Sequence, residues 1–113
     1  MSEQNRPTGI QLHTRSRSLG LSWADGSRYD LSCEFLRVHS PSAEVKGHGP
    51  GQEVLQTGKL DVAITAIRPI GNYALQLVFD DGHDTGLYSW DYLHYLCTEQ
   101  ATLWQTYLKR LEA

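Results

Sequence analysis

The sequence predicts an α+β domain: a mainly antiparallel β-sheet built from hairpins, a short helix after an Asp-Gly-His turn, and a C-terminal amphipathic helix. Three observations predict it. Apolar and polar residues alternate, with the two-residue period of half-buried strands, through Ile10 and Leu12, through Leu19, Leu21 and Trp23, and through Tyr73, Leu75, Leu77 and Phe79. Asp25-Gly26 and Asp81-Gly82 mark hairpin turns, because glycine accepts the positive φ that tight turns require. The long helical spacing comes after the strands rather than between them, which separates α+β from α/β.

Taken in order, residues 1–8 are polar and read as a flexible arm ahead of one domain over 9–113. Arg15-Ser16-Arg17-Ser18 supplies the turn between the first two strands, and Ala24-Asp25-Gly26-Ser27 leads into a third that carries Tyr29 and Leu31. Ser32 is placed to cap a short helical turn through Glu34, Phe35 and Leu36. From 39 to 57 the chain is rich in Ser, Pro and Gly and reads as a long loop; loops of that length in small domains are functional or mobile. Residues 59–70 read as a strand that Pro69 stops and Gly71-Asn72 turns. The alternating run to Phe79 follows, then the Asp81-Gly82 turn and a short strand over 85–88. Ser89 caps a helix beginning at Trp90, with Asp91 in its first turn. The last helix spans 98–112, where Leu103, Trp104, Tyr107, Leu108 and Leu111 form one apolar stripe.

The 113 residues make one domain, which at this size buries roughly 65% of the surface its unfolded chain exposes. No apolar run approaches the ~18–20 residues that span a bilayer, so no membrane partner is expected. The polar start, with Glu3, is not a secretory signal, and the expected compartment is the cytoplasm. Net charge is −3, divided as +1 over residues 1–50 and −4 over 51–113. With a pI near 5.9 and no basic stripe, nucleic acid is not the expected partner. Cys33 and Cys97 form neither a Cys-x-x-Cys pair nor a zinc knuckle, and read as buried small hydrophobes.

Catalytic patterns are absent. Asp80, Asp81 and Asp84 surround His83, but at a turn where the side chains should mostly face water. No histidine is followed two residues later by an acid, so the iron dioxygenase triad lacks its pair. Ser22 is not in a nucleophile elbow, and Gly47, Gly49 and Gly51 lack the Lys and Ser/Thr of a phosphate loop. The expectation is no enzyme. Trp90, Tyr92 and Tyr95 cannot all face inward on one short helix, so some aromatic surface should be exposed.

The order Leu21-Ser22-Trp23-Ala24-Asp25-Gly26, Phe35-Leu36-Arg37, Phe79-Asp80-Asp81-Gly82-His83 and Tyr88-Ser89-Trp90-Asp91-Tyr92-Leu93 resembles the DUF971 family, the gamma-butyrobetaine hydroxylase-like N-terminal domain, from about Leu12 to Leu96. In carnitine-pathway dioxygenases such a domain precedes a separate catalytic domain, so the resemblance implies the module without hydroxylase activity. It also implies a zinc held by a Cys-x-Cys-x-x-Cys run and the His of Asp-Gly-His. Those positions fall here on Ser40, Ser42, Val45 and His83, so three of the four ligands are replaced. His39, Glu44 or His48 remain as substitute co-ligands for His83. Similar domains appended to a chloroplast iron–sulfur scaffold protein point to an accessory role.

The resulting expectation is a non-catalytic, stand-alone interaction module with no cofactor and a lost zinc site. Its partner would be a protein, including a second copy of itself. The surface would join the 39–57 loop to the 80–92 region through His39, His48, Asp81, His83, Asp84 and Trp90. The alternatives are a metal-linked accessory factor in zinc or iron–sulfur handling, using His83 with His39 or His48, and an enzyme or small-ligand binder.

Overall fold

A computed structural model describes residues 6–42 and 58–112, and within them the chain runs twice through the same series of elements. Strands β1 (Gly9–His13), β2 (Ser18–Ser22) and β3 (Arg28–Ser32) form an antiparallel meander that leads into helix α1 (Cys33–Val38). Strands β4 (Ile64–Ile70), β5 (Ala74–Phe79) and β6 (Leu87–Ser89) form a second meander, leading into α2 (Trp90–Thr98). Helix α3 (Gln100–Glu112) follows. The α+β class is as the sequence predicts, but the strands divide into two three-stranded sheets. No helix among the described residues is long and apolar enough to cross a membrane.

The correspondence between the two units extends to single hydrogen bonds. In the β2–β3 turn, Gly26 N–H donates to Trp23 O (2.9 Å), Trp23 N–H to Ser27 O (2.9 Å), and Ser27 N–H to Asp25 Oδ1 (2.9 Å). In the β5–β6 turn, Gly82 N–H donates to Phe79 O (3.2 Å), Phe79 N–H to His83 O (3.0 Å), and His83 N–H to Asp81 Oδ1 (3.1 Å). Gly26 and Gly82 take φ of +91° and +90°, which a side chain would strain. Each unit then ends its last strand on a serine that caps the helix: Ser32 Oγ accepts from Phe35 N–H (3.0 Å) and Ser89 Oγ from Tyr92 N–H (3.1 Å).

The inward faces of both sheets close on one core. Leu19, Leu21 and Leu31 meet Leu75, Leu77, Phe79 and Tyr88, with Phe35 and Leu36 from α1 and Trp90, Leu93 and Leu96 from α2. Each such side chain contributes about 1.5–3 kcal/mol by leaving water. Helix α3 lies at the margin of this core. Its stripe buries Tyr107, leaves Leu103, Trp104 and Leu108 half-buried and exposes Leu111; the Tyr107 hydroxyl donates to Glu34 Oε2 of α1 (2.8 Å).

The structure shifts several boundaries. The strand read over 59–70 begins only at Ile64, because Val62 N–H closes a turn onto Lys59 O (3.1 Å). Tyr73 is not in the alternating strand. Gly71 at φ +52° and the bond from Tyr73 N–H to Ile70 O (3.3 Å) hold it in the turn, 51% exposed. The short strand read at 85–88 lies at Leu87–Ser89, and the last helix starts at Gln100 rather than 98 because α2 continues through Thr98.

The paired caps set a direct expectation. Ser32→Ala and Ser89→Ala should each cost about 1 kcal/mol and lower the thermal midpoint by about 4 °C. Thermal unfolding followed by circular dichroism checks this. Unchanged midpoints for both would show that neither serine caps its helix.

Candidate functional site

The C-terminal end of α1 is where the two units meet. A helix of six residues leaves most of its carbonyls without an internal partner. Here side chains of the second unit supply the missing donors. The Tyr88 hydroxyl donates to Leu36 O (2.5 Å) and the Tyr92 hydroxyl to His39 O (2.6 Å). Burial in this setting raises both phenols, Tyr92 to about 12, so they remain protonated donors.

Beyond the helix, His83 and Ser40 meet. His83 is 5% exposed and Ser40 0%, and His83 Nε2 lies 2.9 Å from Ser40 Oγ. This corrects the expectation that the turn's side chains mostly face water. Ser40 Oγ also accepts from Ser42 N–H (3.2 Å), and Ser42 Oγ bonds Thr85 Oγ1 (2.8 Å). Two of the four positions implied for zinc, Ser40 and Ser42, are thus brought to His83; Val45, Glu44 and His48 lie outside the described residues.

These residues do not fit a zinc ion. Bonds of ~2.0–2.1 Å at the tetrahedral angle hold two ligand atoms roughly 3.3 Å apart, and a neutral hydroxyl is a poor ligand. Ser40 Oγ and His83 Nε2 are in hydrogen-bond contact instead. Among the described residues no three His, Cys, Asp or Glu side chains converge as a metal site. His39 turns Nδ1 back to Phe35 O (2.9 Å), with its ring against that of Phe35.

The remaining expected surface residues divide. Asp84 is exposed at the turn, but Trp90 is a core residue, 5% exposed, whose indole N–H donates to Asn72 O. The outward aromatic residue of α2 is Tyr95, 47% exposed and stacked on Tyr92 with ring centroids 6.1 Å apart. Helical spacing placed the three rings on different sides but did not say which faced out.

Sequence reading also missed an ion cluster. Arg37 is buried, and its Nε donates to Asp81 Oδ2 (2.9 Å); Lys59 Nζ reaches the same oxygen (2.7 Å). Arg37 Nη1 has no acceptor among the described residues. The available signal was an arginine on a helix whose neighbours Phe35, Leu36 and Val38 are all apolar, which demands a distant counter-ion. Partial burial raises the Asp81 carboxyl, but the Lys59 bond, the His83 N–H and Arg37 outweigh it and hold the group at about 2. A depressed carboxyl stabilises the fold above its unfolded value, near pH 4, and that contribution disappears as pH falls through about 2. Urea unfolding at about pH 7, 4 and 2.5 should show Asp81→Asn less stable than wild type at the first two and closer to it at the last. A difference that is constant with pH would remove Asp81 from the acid response.

The family model described as gamma-butyrobetaine hydroxylase-like, N-terminal, matches residues 10–94, which include both units. Two NMR solution structures share the fold. One has TM-score 0.85 and 52% identity over 98% of this chain and 87% of its own; the other has 0.82 and 54% over 99% and 83%. A crystal structure from Acidithiobacillus ferrooxidans, of a DUF971 protein of unknown function, has TM-score 0.68 and 37% identity over 80% of this chain and 91% of its own. No functionally curated protein matches. With a family match over most of its length and relatives above half identity along nearly all of it, the chain belongs to the gamma-butyrobetaine hydroxylase-like N-terminal family, DUF971.

Proposed function

We propose that this domain is a non-catalytic accessory module that acts by binding a protein partner, a second copy of itself included. The observation that carries the reading is an aromatic ladder from core to surface. The rings of Tyr88, Tyr92 and Tyr95 follow one another at 6.1 Å per step and end in the exposed Tyr95. The middle ring is pinned by its hydroxyl to His39 O, at the start of the segment leading into the 39–57 loop. A rigid tyrosine with a buried base gives apolar contact area and a polar tip at little entropic cost, and such residues concentrate at protein interfaces.

The polar groups beside the ladder support the same reading. Ser40 and His83 are buried against each other, and the Asp81 carboxylate is held by two cations. Nucleophiles and general bases need contact with substrate, and these groups contact protein.

The test is a comparison of wild type with Tyr95→Glu as bait in extract of the native cells, alongside light scattering of each alone. Wild type should retain one discrete partner or self-associate, and the variant should lose that binding while its melting midpoint stays within about 2 °C, as for most surface changes. A monomer that retains nothing, or a variant that binds equally well, would overturn the proposal.

A further inference from the structure

We propose that this chain closes the junction between its two units with a metal-free staple, Ser40–His83 and Ser42–Thr85, where the family resemblance implies a zinc–thiolate centre, and that its fold is therefore insensitive to chelators and thiol oxidants. The staple is built at every position. Ser40 Oγ contacts His83 Nε2 at 2.9 Å and takes a second bond from Ser42 N–H at 3.2 Å, so a group with one proton and two lone pairs is well engaged. Ser42 carries the link onward to Thr85 at 2.8 Å. Two residues of the segment after α1 are thereby tied to two residues of the β5–β6 connection.

The packing is specific to hydroxyls at hydrogen-bond distance. A Cβ on Gly86 would lie 2.4 Å from Ser40 Oγ and 3.2 Å from Tyr88 Cε1, so the chain passes Ser40 with no side chain between them. The hydroxyl is held from one side by that backbone and from the other by the imidazole. It has no slack to open to the wider spacing that a shared metal requires.

Oxidant resistance follows from where the thiols are. Cys33 and Cys97 are 1% and 2% exposed, and burial pushes both up, Cys97 to about 11. Oxidation and metal capture both begin from accessible thiolate, which these sites disfavour.

Three measurements on the full chain test the inference. Elemental analysis after purification without chelator should find no stoichiometric zinc, and the melting midpoint should be the same in EDTA, in added zinc and after mild peroxide. Ser40→Ala should shift the unfolding equilibrium toward the unfolded state by about tenfold, because it leaves a buried imidazole nitrogen unpaired. Ser40→Ala and His83→Gln should then be non-additive in a double-mutant cycle. If either core variant fails to fold, Thr85→Val at the exposed end should still lower stability measurably. Stoichiometric zinc whose removal lowers the midpoint would overturn the proposal. So would additive behaviour of Ser40→Ala and His83→Gln, or, where that cycle cannot be measured, a neutral Thr85→Val.

Discussion

Helix α1 is too short to satisfy itself, and the molecule is organised around making good that deficit. Five side chains of the second unit reach five positions at or just beyond its C-terminal half. Tyr88 binds Leu36 O, Asp81 binds Arg37, Tyr92 binds His39 O, His83 binds Ser40 and Thr85 binds Ser42. Buried carbonyls, a buried guanidinium and buried hydroxyls would each cost about 1–3 kcal/mol if left unpaired. Because every partner comes from one side, loss of the second unit would expose all of these groups together. The junction is thus a single cooperative device.

The two units use one turn in two ways. In the first, Asp25 is closed by its own loop: both Ser27 N–H (2.9 Å) and Ser27 Oγ (2.6 Å) bind its carboxylate, and the turn faces water. In the second, Asp81 keeps the loop bond to His83 N–H but directs its other oxygen to Arg37 and Lys59. The position occupied by Ser27 in the first turn is His83 in the second, and its ring goes to Ser40. Identical backbone geometry with different side chains turns a local hairpin into a contact between units.

The local features were legible because their causes are local. Ser32 and Ser89 as caps, the two Asp-Gly turns and the α3 stripe all follow from residues within a few positions of one another. Strand onset at Ile64 and the turn placement of Tyr73 depend on hydrogen bonds that alternation does not encode. Arg37 and Asp81 stand 44 positions apart, and nothing in the spacing couples them. The site was legible only through family resemblance, which placed Ser40, Ser42 and His83 together, and the structure brings those three into contact. Trp90 was misplaced on the surface because helical spacing separates faces without naming the buried one.

If the junction is cooperative, the end of α1 does not open alone. Native-state hydrogen exchange reads this directly at the amides of His39, Ser40 and Ser42, compared with Leu77 at the centre of β5. These amides should exchange with the free energy of global unfolding, matching Leu77. Exchange at 39–42 that is much faster than at Leu77, under conditions where β5 stays protected, would show that the clamp opens locally and contradict the account.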